Sequence, residues 1–204
     1  MKISVCIPTL GNRVPMLANF LRSLSCQTHR DFEVCFNDEP IGIFPALNKA
    51  IANSSGSILY FGCDDDEIAG DDVFAFVNEQ FSGHSDKPMW IYGRGELIDE
   101  HGSLICQSHK KETSYEEMLQ HNAIFQPSVF WNRAMQNAAG GFNELWSHSS
   151  DYAQWLKFWR IAEPVFVDRI LSRYRIWDQT HTSQNAQAQL EESQSIAEMF
   201  RAAR

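Results

Sequence analysis

Basic residues are scarce in this chain. Only 17 Lys and Arg stand against 26 Asp and Glu in 204 residues, a formal net charge of −9. That balance argues against nucleic acid as the main partner, because holding a phosphate backbone needs clustered Lys and Arg. A phosphorylated small ligand stays open, since one divalent cation can neutralise it. No apolar run approaches the roughly 20 residues of a membrane span, and the N-terminus lacks a signal-peptide pattern, so no integral membrane segment is expected. The five cysteines are odd in number and show no CxxC spacing, which speaks against a zinc site or a disulfide framework. Cys6 and Cys35 lie in apolar runs, where Cys behaves as a small hydrophobe. A reduced, cytoplasmic protein is expected. Internal repeats and disordered linkers are also missing, so the chain reads as one domain, and its 44% hydrophobic residues are enough for a full core.

What is present alternates. Residues 2–8, 32–36 and 58–61 are short apolar runs of strand character, each closed by turn residues. Residues 15–26 and 43–53 carry apolar side chains at helical spacing, with Pro15 suited to a first turn. Strands separated by helices of crossover length predict an α/β fold with a mostly parallel, doubly wound central sheet flanked by helices. A helix is expected over 70–82 and a hairpin from 90–98 to 103–107. A short helix over 113–121, a strand at 124–131, a helix over 152–161 and a last strand at 165–168 follow. The tail, 184–204, reads as a solvated C-terminal helix with a modest apolar stripe, a candidate contact for a homo-oligomer.

The most unusual stretch follows the third strand. Asp64, Asp65 and Asp66 are adjacent, with Glu67 next, and neighbouring like charges need a cation to stay together in a folded protein. Hard oxygen ligands at the carboxyl end of a strand suit Mg²⁺ or Mn²⁺, where open α/β sheets place their ligands. The alternative is a solvated turn, with Asp71 or Asp72 capping the next helix.

Several segments, taken together, resemble the family 2 glycosyltransferases of the GT-A fold. They are Val5–Thr9, Ser23–Thr28, Asp31–Val34 with the acids after it, Gly42–Ile51 and Gly62–Asp65, in family order and spacing. The resemblance implies a Rossmann-like domain that moves a sugar, with inversion, from a nucleotide-diphosphate donor, a UDP-sugar foremost, to a glycan or lipid-linked acceptor. It implies a nucleotide-sugar-binding half at 1–82 and an acceptor-side half at 83–183. The nucleotide would lie against Pro8, Thr9, Asp38 or Glu39, Asn48, Lys49 and Asp64. A Mn²⁺ or Mg²⁺ ion would be held by Asp65 first, then Asp64, then Asp66. The family's acidic motif often starts two residues before its paired acids, where this chain has Gly62.

Gly140-Gly141-Phe142 followed by Asp151 resembles the family's loop and the acid after it, which makes Asp151 the general base in the resemblance. Read without it, Asp151 is a helix cap. Where relatives supply a His near the chain end, this chain has Trp177, with His181 four residues on as the alternative ligand. Arg173 and Arg175 would pair either with the diphosphate or with core-edge carboxylates. A GT-A-like module that binds nucleotide without turnover and a nucleotidyltransferase are the competing readings. Placement is expected to be cytoplasmic, with access to a lipid-linked acceptor at the inner membrane surface.

Overall fold

A computed structural model describes residues 1–203. Three parallel strands form its first half: β1 (Ile3–Pro8), β2 (Phe32–Asn37) and β3 (Ile58–Phe61), with β1 in the centre. Helix α1 (Val14–Ser25) connects the first two and α2 (Ile43–Ala52) the next two, as parallel neighbours require. Side-chain alternation then decides which face each residue covers. Ile3, Val5, Ile7, Ile58 and Tyr60 join one core with Phe20 and Leu24 of α1. Cys6, Leu59 and Phe61 join the other with Phe44, Leu47 and Ile51 of α2.

After β3 the chain makes a two-residue strand, β4 (Glu67–Ile68), then α3 (Val73–Gln80). The second half is built differently. β5 (Trp90–Ile98) and β6 (Leu104–Gln107) form the expected hairpin. A helical turn, α4 (Tyr115–Met118), leads to β7 (Val129–Asn132), α5 (Arg133–Ala139), α6 (Ser150–Ile161), β8 (Val165–Arg175) and α7 (His181–Ala202). The eight strands make one sheet, ordered β2-β1-β3-β7-β5-β8-β4, with β6 on β5. β7 runs antiparallel to both β3 and β5, while β5 and β8 are parallel. The α/β, GT-A-type architecture is therefore present, with its run of adjacent parallel strands limited to the first three and a mixed sheet beyond them. A hairpin and a single helical turn cannot serve as the crossover that a parallel return of β7 would need.

Two elements run longer or come earlier than their sequence pattern suggests. β8 extends to Arg175 because register shifts against β5 at Gly93 to Gly95 absorb the break in alternation at Asp168-Arg169. α7 begins at His181, capped by Thr180, whose hydroxyl accepts from the Ser183 N–H at 3.0 Å. The apolar stripe expected to face another copy is covered by the chain itself: Ile196, Ala197 and Phe200 are buried in the larger core. That core is an aromatic wall of Trp90, Trp131, Trp155, Phe158 and Phe142, with ring centroids about 5 to 6 Å apart in edge and offset contacts. The wall carries α6, and α6 carries Asp151.

Candidate active site

The three adjacent aspartates do not act as one group. Asp64 and Asp65 converge on a single nitrogen, Arg13 Nη1, at 3.2 and 3.0 Å. Thr9, at the end of β1, donates its hydroxyl to Asp64, and Trp177 Nε1 donates to Asp65 Oδ2 at 3.2 Å. Asp66 turns into the protein. It is fully buried, and its Oδ1 accepts the Arg175 N–H at 3.1 Å. Burial, with Asp65 adding to it, holds the Asp66 carboxyl well above the usual range. Burial also raises Asp65, against the pull of Arg13.

Arg175 explains this division. It is fully buried at the end of β8, and its guanidinium binds the Asp65 carbonyl at 2.8 Å, the Asp99 carbonyl at 2.9 Å and Glu67 Oε1 at 2.6 Å. Pairing of β8 with β4 places it there. Of the two roles open to Arg175, the structure shows the carboxylate pairing; Arg173 likewise pairs with Glu96 at 2.9 Å.

Gly62 has no room for the acid that often opens the family's motif. A Cβ there would lie 2.7 Å from the Phe20 ring and 3.2 Å from Val5. The residues present therefore fit one divalent ion through a pair of carboxylates, with phosphate oxygens and water to complete its shell. They do not fit a third acid or a histidine. His181 Nε2 is engaged with His148 Nδ1 at 2.8 Å, and burial with that neighbour keeps its pKa low. Among the described residues no three His, Cys, Asp or Glu side chains are placed to hold a metal. Asp66 and His181, expected as ligands, are thus not brought to the pair, because Asp66 is turned inward by the β4–β8 contact and His181 is tied to the loop before α6.

Asp151 is the second residue of α6, behind Ser149 at the N-cap position, so it is not the cap itself. Its Oδ1 is buried and has no hydrogen-bond partner. Burial pushes its pKa up to about 6, against the backbone N–H of Tyr152 and the nearby Lys110. Burial, with the charges of Asp66, Asp65, Asp64 and Asp151 adding to it, holds the pKa of the half-buried Cys63 well above the usual thiol range, so the acid turn and Asp151 both act on one residue.

The other expected nucleotide contacts divide. Asp38 is exposed at the tip of β2. Glu39 and Lys49 meet each other at 2.7 Å on the surface, and Lys49 holds the Glu39 pKa down. Thr9 faces Asp64 with its side chain, while its N–H goes to the Asn37 carbonyl at 3.0 Å; Pro8 precedes it, half-buried. Asn48 is a clasp. Its amide accepts from Phe142 N–H at 2.9 Å and donates to the Phe142 carbonyl and to Glu144, each at 2.9 Å. This grip explains Gly141, where a Cβ would come within 2.9 Å of Asn48 Oδ1. It ties the Gly-Gly-Phe loop to α2, and so the two halves to each other.

Sequence patterning passes over Arg13, and it marks Trp177 only as a missing histidine, not as a donor to Asp65. Arg13 falls in a plain turn, and only the fold carries residues 13 and 177 to the end of β3. The one available signal was charge: an acidic cluster with no basic residue beside it in sequence needs a distant one.

No protein-family model matches the chain. An uncharacterized glycosyltransferase of Mycobacterium tuberculosis is 26% identical over 136 residues, 65% of this chain and 50% of the relative. One of Rickettsia prowazekii is 26% identical over 162 residues, 76% of this chain and 50% of the relative. The chain thus spans about half the length of the curated relatives it matches. Among solved structures, S. aureus TarS 1-349 in complex with UDP-GlcNAc superposes with a TM-score of 0.71 at 16% identity, over 96% of this chain and 65% of that one. The same fragment in complex with UDP gives 0.69 at 14% identity, over 98% and 65%. The chain is a GT-A-fold domain. Within that class its motifs between residues 5 and 65 resemble the family 2 glycosyltransferases, and its relatives are named glycosyltransferases.

Proposed function

We propose that this domain transfers a sugar from a nucleotide-diphosphate donor to an acceptor hydroxyl, inverting the anomeric centre. The observations that support this reading are the convergent Asp64–Asp65 pair after β3 and an Asp151 oxygen that no protein group engages. One end offers carboxylates for a cation, and the other an unengaged base. Such a separation suits a displacement in which one group leaves as another is deprotonated.

Asp151 accepts the proton of the acceptor hydroxyl as that oxygen attacks the anomeric carbon. The bond from that carbon to the diphosphate oxygen breaks, and its electron pair leaves with the diphosphate. With a pKa of about 6, Asp151 is mostly ionised at neutral pH yet basic enough to hold a proton in the transition state. Asp64 and Asp65 would hold a Mn²⁺ or Mg²⁺ ion, which when bound supplies positive charge for the departing diphosphate. The UDP and UDP-GlcNAc carried by the TarS neighbours make a UDP-sugar the first donor to try. Asp38, exposed beyond β2, stays free to accept from a pyrimidine N–H. A glycan or lipid-linked acceptor, in cell-surface polysaccharide synthesis, fits this chemistry; no helix among the described residues is long and apolar enough to cross a membrane.

Incubation with a panel of nucleotide sugars and Mn²⁺, followed by assay of released nucleoside diphosphate, tests the reading. Release dependent on one nucleotide sugar supports it. Tight UDP binding with no release for any donor or acceptor would leave a binding module instead. Release of pyrophosphate from a nucleoside triphosphate and a sugar phosphate would mean a nucleotidyltransferase.

A further inference from the structure

Two arginines serve the acid turn, and they are held in different ways. Arg175 is fully buried, and its guanidinium is closed in by three backbone carbonyls and Glu67. Arg13 has a side chain 28% exposed, and it reaches Asp64 and Asp65 from a turn just before α1. Its remaining contacts are light. Nη2 donates to the Gln179 carbonyl at 3.1 Å, and the guanidinium lies over the Trp177 ring, 5.6 Å from its centroid. Only Arg175 has the enclosure of a permanent structural cation.

The place Arg13 takes is also specific. Its Nη1 is within 3.2 Å of one oxygen from each carboxylate, the point to which both side chains direct their charge. A divalent ion held between the two carboxylates at that point would take the same oxygens, and two cations cannot share them without strong repulsion. An arginine also has a second use at such a site, because its planar fork matches phosphate oxygens as well as it matches carboxylates.

We infer that Arg13 is a displaceable counter-ion: it neutralises the Asp64–Asp65 pair in the empty site, yields both carboxylates to the divalent ion, and turns to the donor diphosphate. This rests on the reading of Asp64 and Asp65 as the ion's ligands. Its consequence is coupling. While Arg13 holds the pair, the ion alone meets a site that is mostly closed, and its apparent affinity falls by the fraction of open site. Once a diphosphate offers Arg13 another partner, the pair is released and the ion binds more tightly. By linkage the ion must strengthen diphosphate binding by the same factor.

Free Mn²⁺, measured by electron paramagnetic resonance with and without UDP, tests this in the wild type, R13Q, R13K and D65N. Arg13 lies in a part-exposed turn, so all four proteins should give matching circular dichroism spectra. R13Q should bind Mn²⁺ alone about tenfold more tightly than the wild type, for a pair closed about nine-tenths of the time. Its gain in Mn²⁺ affinity on adding UDP should shrink by a similar factor. R13K keeps the charge without the fork and should fall between the two. Equal Mn²⁺ affinity in R13Q and the wild type, with binding lost in D65N, overturns the inference while leaving the ion site intact. No Mn²⁺ binding to the wild type or R13Q, with or without UDP, removes the ion site and the inference together. UDP binding that is indifferent to EDTA in the wild type but lost in R13Q makes Arg13 itself the diphosphate's cation, and also overturns displacement.

Discussion

The acid turn after β3 and the start of α6 both carry carboxylates into a covered site, but they treat them in opposite ways. At the turn, Asp64 and Asp65 meet donors from two distant segments: Thr9 and Arg13 in the connection after β1, and Trp177 after β8. At α6, Asp151 has one oxygen with no partner at all, and its pKa rises to about 6. Donors favour the charged carboxylate and offset part of the rise that burial causes at Asp65, whereas the partnerless oxygen leaves Asp151 prepared to take a proton. One site therefore contains two kinds of carboxylate, separated by environment rather than by residue type.

Breaking the comparison at its base end should have the largest effect. Asp151→Asn keeps the side-chain volume and removes the proton acceptor. Nucleoside-diphosphate release with acceptor present should fall by about 10²–10⁴, the usual worth of general base catalysis. UDP affinity should stay within about twofold, because the acceptor's proton is not part of that contact. A variant with wild-type transfer would leave Asp151 as a first-turn helix residue and nothing more.

At the other end, Arg175→Met removes the buried cation that fixes the turn. Glu67 would lose its partner, while Asp66 keeps the backbone N–H of residue 175, and breaking a buried pair in this way costs about 3–5 kcal/mol. Urea unfolding measures it. A loss below about 1 kcal/mol would mean that Arg175 does not organise the turn.

The contrast can be sharpened with pH. A folded Asp151 holds its proton up to about 6, whereas an unfolded one loses it near 3.8. Between those values the folded state binds more protons, so this group's contribution to stability falls as pH rises from about 4 to 7. Asp151→Asn lacks that slope. Relative to wild type it should gain stability across this window, by at most about 3 kcal/mol for a shift of this size. Urea midpoints at pH 4, 5, 6 and 7.5 would show it; parallel curves for the two proteins would remove the raised pKa from the account.

The smallest expected effect concerns the residue before the turn. Gly62→Asp restores the family's acid but pushes it into the Phe20 ring, an overpacking of about 1–3 kcal/mol. Thermal melts measure the cost. Pairing the change with Phe20→Ala should not add the two losses, since the cavity receives the new side chain. Strict additivity would show that Phe20 is not what excludes an acid there.

Much of this was legible in one dimension. Local periodicity marked β1, β2, β3, α1 and α2 within a residue or two, because each is short and apolar on a fixed face, and all but α1 are closed by Gly, Pro or Asn. The acid cluster and Asp151 stood out by residue type and by resemblance. Helix α5 did not, since Arg133–Ala139 has little apolar stripe and starts on the cap at Asn132, whose side chain accepts the Met135 N–H at 2.9 Å. Nor did the short strand inside the acid turn: two residues, Glu67 and Ile68, carry no period. Asn48 and Lys49 looked alike as polar positions on α2, yet one clasps the 142–144 loop and the other pairs with Glu39 in solvent.

By itself the sequence determined the three strands of the first half and the helices between them, the place of the acids at a strand end, and the presence of a second acid at a helix start. Those follow from contacts between near neighbours, which hydrophobic spacing and turn residues encode directly. The tertiary structure alone decided which of three adjacent aspartates faces the site, that Arg13 covers two of them, and that one Asp151 oxygen is left without a donor. Each depends on groups more than fifty residues apart, meeting across a sheet whose second half reverses direction. No local pattern specifies such meetings, because the energy that fixes them is desolvation and charge in the assembled core.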